Sequence, residues 1–274
     1  MKRLLIFSLV VFYFFSWRCE IITDPGFDNP VDSTASEHIP PQTTILAGPA
    51  DNEVINTHTV TFKWSGNETA AEFFYSLDTK ACSDWTSDTT ATFELLDEGE
   101  HLFTVVSKTP AGEIEDNPPL RQFQIDAVKG PALRFYPRKV RVATNETFTV
   151  EVVVEEVTDL MGLYIELPLN PNGLELIDRE IYLGTSDFLS KESQNILTVD
   201  VEDLTNNLLK ITLGRVSDIN AGVSGTGKVI QLTYRLTGDQ NTLLSFTPNC
   251  AMENSQIQSI EILERVDCVI EVGE

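Results

Sequence analysis

Short runs in which apolar and polar residues alternate constrain the fold of this 274-residue chain most strongly. In the C-terminal half, four such runs have these apolar positions: Phe148, Val150, Val152 and Val154; Leu163, Ile165 and Leu167; Leu209, Ile211 and Leu213; and Ile230, Leu232 and Tyr234. A period of two is typical of strands that bury one face. No long helical periodicity competes with it. Residues 132–274 are therefore predicted to form a jelly-roll-like β-sandwich.

A second set of alternating runs lies between residues 42 and 127. Val60, Phe62 and Trp64 share one face of a predicted strand, and clusters of turn-forming residues separate the later runs. The chain is long enough for two domains that each bury a core. The prediction is an all-β protein with two β-sandwich domains, at 42–127 and 132–274, joined by a short linker.

The first predicted domain resembles bacterial fibronectin type III or immunoglobulin-like spacer modules. The motifs that carry this resemblance lie at residues 73–78, 85–86, 91–93, 96–105 and 111–112. His101 stands where the family usually has a tyrosine that closes a corner onto the backbone, and we interpret His101 as structural. Of Trp64 and Trp85, one is expected in the core and the other in a semi-exposed position.

The first 19 residues have the pattern of an export signal. A basic start precedes an apolar run at 4–15, which is shorter than the roughly 20 residues that span a bilayer. Cys19 resembles the lipidated cysteine of bacterial lipoproteins, although Trp17 and Arg18 replace the small residues usual before it. An ordinary signal peptide that is cleaved elsewhere is the alternative. The expectation is a bacterial lipoprotein that is anchored to a membrane at the cell surface or in the periplasm.

Residues 20–41 are rich in Pro, Asp, Ser and Thr and are predicted to be a flexible tether.

Composition limits the classes of partner. The net charge of -23 makes nucleic-acid binding improbable, because binding phosphates requires clustered Lys and Arg. This acidity keeps an exported protein soluble, and it could also steer a basic partner or attract calcium weakly. Charge alone does not tell whether the chain steers a basic partner or attracts calcium.

The cysteines leave one question open. An exported protein meets oxidising conditions, so Cys250 and Cys268 could form a disulfide, which their spacing alone cannot decide. Cys82 is interpreted as a free residue in a turn or strand. The three histidines have no partner at metal-ligand spacing, so no metal site and no catalytic residue is predicted.

One glycine-rich motif imitates a phosphate-binding loop. Residues 222–228 fit the spacing up to Lys228, but Val229 stands where Ser or Thr is required, and a strand pattern follows instead of a helix. We interpret these glycines as a tight turn between strands. No cofactor is predicted, and the chain is not expected to be an enzyme.

The second predicted domain resembles cohesin modules. The motifs that carry this resemblance are the Val-rich run at 148–154, Leu-Met-Gly at 160–162 with the run that follows, Asn-Pro-Asn-Gly at 170–173, Asp-Phe-Leu at 187–189, and the glycine motif at 222–227 before its strand. Order and spacing agree across most of 132–248. The sequence departs from the family at Leu169 and Asn170, where the usual pair before proline is Tyr-Asp.

The resemblance implies docking rather than catalysis. In the family, dockerin domains bind across a sheet face that includes the strand after the Leu-x-Gly motif. By this resemblance the candidate contacts are Tyr164, Glu166, Lys210 and Thr212, with Asn170 in the neighbouring loop. The implied function is a non-enzymatic scaffold that holds a dockerin-bearing or other extracellular protein. The alternative is a surface carbohydrate-binding or adhesion protein, since related sandwiches bind polysaccharide.

Overall fold

The computed structural model describes residues 38–78, 80–81, 83–191, 195–216 and 222–273. Within these ranges the secondary structure is twenty strands without an α-helix, so no helix there is long and apolar enough to cross a membrane. The predicted signal, most of the tether, Cys19 and Cys82 lie outside the described residues. The protein is all-β and forms two sandwiches, as the alternation predicted.

The first sandwich has two sheets. Its strands are β1 (Thr43–Ala47), β2 (Glu53–Ile55), β3 (Val60–Gly66), β4 (Glu72–Leu77), β5 (Lys80–Ala81), β6 (Thr90–Phe93), β7 (Gly99–Lys108) and β8 (Leu120–Ile125). One sheet has the order β1-β3-β6 and the other β2-β8-β7-β4-β5. An aromatic core joins them, in which the rings of Phe62 and Phe103 stack at 3.8 Å. Trp64 is buried, whereas Trp85 is partly exposed beneath the ammonium of Lys108.

His101 ties two turns of this sandwich together. Its Nε2 donates to the carbonyl oxygen of Asp97 at 2.9 Å, and its Nδ1 lies 2.7 Å from Oδ2 of Asp78. Burial lowers the pKa of His101, but the hydrogen bonds to Asp78 and Asp97 outweigh burial and raise it above its ordinary value. The imidazole of His101 therefore links the turn at Asp78 to the turn at Asp97.

We expect the contribution of His101 to stability to depend on pH. Because the pKa of folded His101 exceeds the unfolded value of about 6.5, its stabilisation is complete below that value and is lost as pH rises through the folded pKa. His101→Gln should cost about 1 kcal/mol more near pH 5.5 than near pH 8.5. Urea unfolding of the protein without residues 1–19, followed by tryptophan fluorescence, reads this sandwich selectively, since Trp17 is then removed and Trp64 and Trp85 both lie in the sandwich. Equal costs at both pH values would contradict the prediction.

The second sandwich contains twelve of the described strands. They are β9 (Ala132–Tyr136), β10 (Lys139–Val142), β11 (Thr147–Pro168), β12 (Leu174–Ile181), β13 (Asn195–Asp203), β14 (Leu208–Val216), β15 (Val223–Leu236), β16 (Thr242–Leu244), β17 (Ala251–Asn254), β18 (Ser259–Ile260), β19 (Glu264–Val266) and β20 (Cys268–Val272). β10, β20 and β16 form a separate small sheet, and the other nine strands are connected by hydrogen bonds through β11.

β11 takes part in both layers of this sandwich. Residues 147–160 pair with β15 and, in part, with β9, whereas residues 160–168 pair with β14 and β17, so Leu160 pairs on both sides. One layer therefore has the order β12-β15-β11-β9-β19 and the other β13-β14-β11-β17-β18. All thirteen apolar positions of the alternating runs are buried in one core between the layers, which confirms their predicted direction.

The chain changes layers at a bulge in β11. Glu156 and Asp159 have positive φ angles of 49° and 57°, and the register with β15 shifts on both sides of Val157. The side chain of Asp159 accepts hydrogen bonds from Gly222 N at 2.8 Å and from Ser255 Oγ at 2.7 Å. These bonds hold the bulge against β15 and the β17–β18 hairpin.

One sequence interpretation near this bulge was wrong. The motif at 160–162 lies inside β11, and the change of direction precedes it. The glycine motif at 222–227 is not a turn between strands, because nearly all of it pairs with β11 as the start of β15. Its glycines allow close packing instead, since a Cβ at Gly222 would lie 2.2 Å from the carbonyl carbon of Asp159.

The late cysteines are separate thiols. Cys250 and Cys268 are both buried and unbonded, so the disulfide that the sequence left open is absent. Burial raises the pKa of the Cys250 thiol and raises that of Cys268 to about 12. Both side chains therefore act as small apolar residues of the core, because the reactive thiolate form is disfavoured.

Candidate partner-binding face

The structure brings four of the five candidate contacts onto one surface. Tyr164 of β11 lies opposite Thr212 of β14, and Glu166 of β11 lies opposite Lys210 of β14. Residues directly opposite each other in a sheet share a face, and the intervening residue Ile165 is fully buried on the other face. This outer face of β13, β14, β11 and β17 is called the docking face below.

Glu166 is a buried acceptor within the docking face. Its Oε1 accepts hydrogen bonds from Thr247 Oγ1 at 2.8 Å and Asn249 Nδ2 at 2.7 Å, and its Oε2 accepts one from Tyr164 Oη at 2.8 Å. Only 5% of the residue is exposed. Burial raises its pKa, but these hydrogen bonds outweigh burial and lower it below the ordinary value. Glu166 holds the segment before β17, and the structure leaves little of it for a partner to touch.

The polar groups of Tyr164 and Lys210, both predicted to contact a partner, are engaged within the protein. The hydroxyl of Tyr164 is used by Glu166, and burial together with that bond raises its pKa to about 12, so the half-buried ring is the part left for contact. Lys210 Nζ lies 2.8 Å from Oδ2 of Asp203, which raises the pKa of the lysine. Lys210 therefore belongs to a polar rim, and Thr212, which lies opposite Tyr164, is exposed.

An aliphatic stripe on β13 extends the docking face. Val199 lies opposite Thr212, and Val201 and Leu197 lie opposite Lys210 and Gly214. Leu197, Val199 and Val201 are 63%, 49% and 47% exposed. Three adjacent outward aliphatic side chains on an edge strand form an apolar patch rather than scattered surface residues. The alternation at 197–201 is visible in the sequence. From the sequence alone, however, its apolar residues would be assigned to the buried face of a strand.

Asn170 lies outside the docking face. It follows β11, where its Oδ1 accepts a hydrogen bond from Leu176 N at 2.9 Å and its carbonyl oxygen accepts one from Asn207 Nδ2 at 3.1 Å. These contacts fix the turn that leads into β12. The structure therefore places Asn170 as a turn residue, exposed but apart from the other four candidates.

Comparisons with known proteins give distant similarities only. No protein-family model and no curated protein matches the chain. A type II cohesin domain from Acetivibrio cellulolyticus is similar at 16% identity and a TM-score of 0.40, over 50% of this chain and 94% of that one. Fibronectin(III)-like modules of CbhA from Clostridium thermocellum are similar at 13% identity and a TM-score of 0.26, over 31% of this chain and 96% of that one.

A third similarity spans both sandwiches. It is to SGBP-B of the mixed-linkage glucan utilization locus of Bacteroides ovatus, whose structure was solved in complex with a mixed-linkage heptasaccharide. The identity is 9% and the TM-score 0.29, over 85% of this chain and 70% of that one. At these values the comparisons agree with an all-β sandwich fold and go no further.

Proposed function

We propose that this chain is an exported, non-enzymatic surface protein whose second sandwich docks another extracellular protein through the docking face. The observation that carries the proposal is the exposed stripe of Leu197, Val199 and Val201 on the same face as the ring of Tyr164, with Thr212 between Val199 and Tyr164. The cohesin resemblance of the sequence suggests a dockerin-bearing partner. The first sandwich then acts as a spacer, and Cys19 is the proposed anchor to the membrane.

The composition of the docking face fits protein recognition. Specific interfaces combine a desolvated apolar or aromatic centre with a polar rim, and most of the binding energy comes from the centre. Here the stripe and Tyr164 supply the centre, and the Lys210–Asp203 pair supplies part of the rim. Gly162 and Gly214 lie opposite each other, and because neither has a side chain, the surface of the sheet is flat at this pair. A partner surface can therefore approach the sheet closely.

We expect Val199→Asp to weaken capture of the partner at least tenfold, because a carboxylate would be buried against the partner without a counter-charge. The experiment is a pull-down from secreted proteins of the source bacterium with the purified protein, followed by mass spectrometry and titration of the captured partner. Leu243→Asp is the matched control, since Leu243 is 52% exposed but lies in the small β10-β20-β16 sheet. The control should bind as the wild type does.

The identity of the captured protein decides between the two functions. Capture of a dockerin-bearing protein that is lost with a calcium chelator supports the proposal. Equal capture by Val199→Asp and the wild type would contradict the docking face. Retention on insoluble polysaccharide without any protein partner would favour the carbohydrate-binding alternative.

A further inference from the structure

A depression lies on the layer opposite the docking face. It is built on the outer side of β15 and β11 and has a volume of about 400 Å³, within the range of small-molecule sites. Its lining residues are Glu151, Tyr182, Ser186, Asp187, Phe188, Lys191, Thr226, Gly227 and Lys228. None of these residues belongs to the docking face. The structure gives the depression, called the loop pocket below, no other role.

The hydroxyl of Tyr182 and its two hydrogen-bond partners form the floor of the loop pocket. The hydroxyl of Tyr182 lies 3.0 Å from Glu151 Oε1 and 3.2 Å from Gln231 Oε1. Burial and the contact with Glu151 raise the pKa of Tyr182 to about 12, so the hydroxyl remains a donor. Glu151 and Gln231 are directly opposite each other on β11 and β15. Their side chains point outward, because Val150 and Leu232 next to them are fully buried.

The wall of the loop pocket is fixed by internal contacts. Phe188 is buried against Gly227, where a Cβ would lie 2.3 Å from the ring. Asp187 accepts a hydrogen bond from Gly184 N at 2.6 Å, and Arg215 donates to the carbonyl oxygen of Leu189. The packing of Phe188 on Gly227 holds residues 184–191 against β15, and Arg215 ties them to β14. The loop pocket is therefore formed before any ligand arrives, which lowers the entropic cost of binding.

The charges of the loop pocket balance. Two carboxylates, Glu151 and Asp187, face two ammonium groups, Lys191 and Lys228, among the lining residues. Lys228 Nζ lies 2.6 Å from Glu151 Oε2. In a chain of net charge -23, this local neutrality contrasts with the rest of the surface. A charged ligand would leave one charge of the loop pocket unmatched, whereas a neutral ligand leaves both signs balanced.

Donors and acceptors are mixed within the loop pocket. Ser186 and the two lysines can donate hydrogen bonds to a ligand. The two carboxylates can accept them, as can the hydroxyl oxygen of Tyr182, whose one proton is directed at Glu151 and Gln231. A ligand that matches both must itself carry groups that donate and accept, as sugar hydroxyls do. Tyr136 adds an aromatic surface beside the floor: it lies opposite Glu151 on β9, is 38% exposed, and has its ring 5.2 Å from Lys228 Nζ.

We propose that the loop pocket binds a short segment of a neutral polysaccharide. Hydroxyl groups of the sugar exchange hydrogen bonds with Tyr182, Glu151 and Lys228, and the ring of Tyr136 packs against the apolar face of a sugar unit. This site lies on the opposite side of the second sandwich from the docking face. The two sites do not overlap, so the protein can hold both ligands at once.

The test uses the purified protein on an array of neutral oligosaccharides, with oligosaccharides of uronic acids as a second set. Binding is then titrated by calorimetry for the ligands that respond. Tyr182→Phe removes only the hydroxyl and should weaken binding at least fivefold, and Tyr136→Ala should weaken it to a similar degree. Two controls should bind as the wild type does: Lys210→Ala on the docking face, and Trp85→Ala in the first sandwich.

Each outcome bears on the proposal. Binding of a neutral oligosaccharide that falls in Tyr182→Phe and Tyr136→Ala, with both controls unchanged, supports it. The absence of binding to every neutral oligosaccharide overturns it, as does binding confined to the uronic acids. Binding that is lost in Trp85→Ala and unchanged in Tyr182→Phe places the saccharide on the first sandwich and also overturns it. Circular dichroism of each variant checks that the strands are retained.

Discussion

Glu166→Ala is expected to lower the free energy of unfolding of the second sandwich by about 3 kcal/mol. The carboxylate is nearly fully buried and accepts hydrogen bonds from Tyr164, Thr247 and Asn249. Hydrogen bonds to a charged group contribute about 1.5 to 3 kcal/mol each, and hydration of the released donors offsets part of the loss. The alanine also leaves a gap beneath the segment that precedes β17.

Differential scanning calorimetry measures this cost in the whole protein. The transition of the second sandwich should shift downward by about 10 °C, while tryptophan fluorescence, which reports the first sandwich, should not change. Glu166→Gln is the matched control, because its amide oxygen still accepts from Thr247 and Asn249 and its volume is the same. Its cost should be less than half that of alanine. Equal costs for the two variants would show that the hydrogen bonds are not what stabilises this region.

The same variant gives a pH signature. The pKa of folded Glu166 lies below its ordinary value of about 4.3, so its contribution is complete above that value and is lost as pH falls through the folded pKa. The difference between the wild type and Glu166→Ala should therefore be constant near neutral pH and shrink in acid. Asp159 has a lowered pKa as well, but it is present in both proteins, so the comparison isolates Glu166.

The sequence predicted the direction of side chains more reliably than the path of the chain. Positions such as Val152, Ile165 and Leu232 are buried as expected, because an alternating run has only one face that can exclude water. The bulge at Glu156 and Asp159 could not be predicted from alternation. Polar residues at 155–156 and 158–159 look like the end of a strand, yet paired backbone continues through them and carries β11 into the second layer.

In the docking face, too, the direction of side chains could be predicted from the sequence, whereas contacts between distant parts of the chain could not. Strand direction places Tyr164, Glu166, Lys210 and Thr212 on one surface, as the resemblance implied. Burial of Glu166 depends on a segment more than eighty residues away in the chain, which no local pattern reveals. The stripe on β13 was missed for a related reason. An edge strand exposes both its faces in part, so alternation alone does not tell which apolar row meets solvent.

Gly222→Ala is expected to destabilise the second sandwich by about 3 kcal/mol, the upper range for an added methyl group that meets fixed atoms. The new Cβ would lie 2.2 Å from the carbonyl carbon of Asp159 and 2.3 Å from its oxygen. These are backbone atoms of the bulge, which Ser255 also holds through the side chain of Asp159. Neither strand can move away without breaking the contacts that turn β11 from one layer to the other.

Gly214→Ala separates this clash from the general effect of replacing a glycine in a strand. Gly214 lies in β14, where a Cβ would meet no heavy atom within 4 Å, so its replacement should change stability by less than about 0.5 kcal/mol. Chemical unfolding followed by far-ultraviolet circular dichroism measures both variants. Similar costs for the two would show that β11 and β15 separate easily at the bulge. A large cost at Gly222 alone would show that close backbone contact there is needed for β11 to serve both layers.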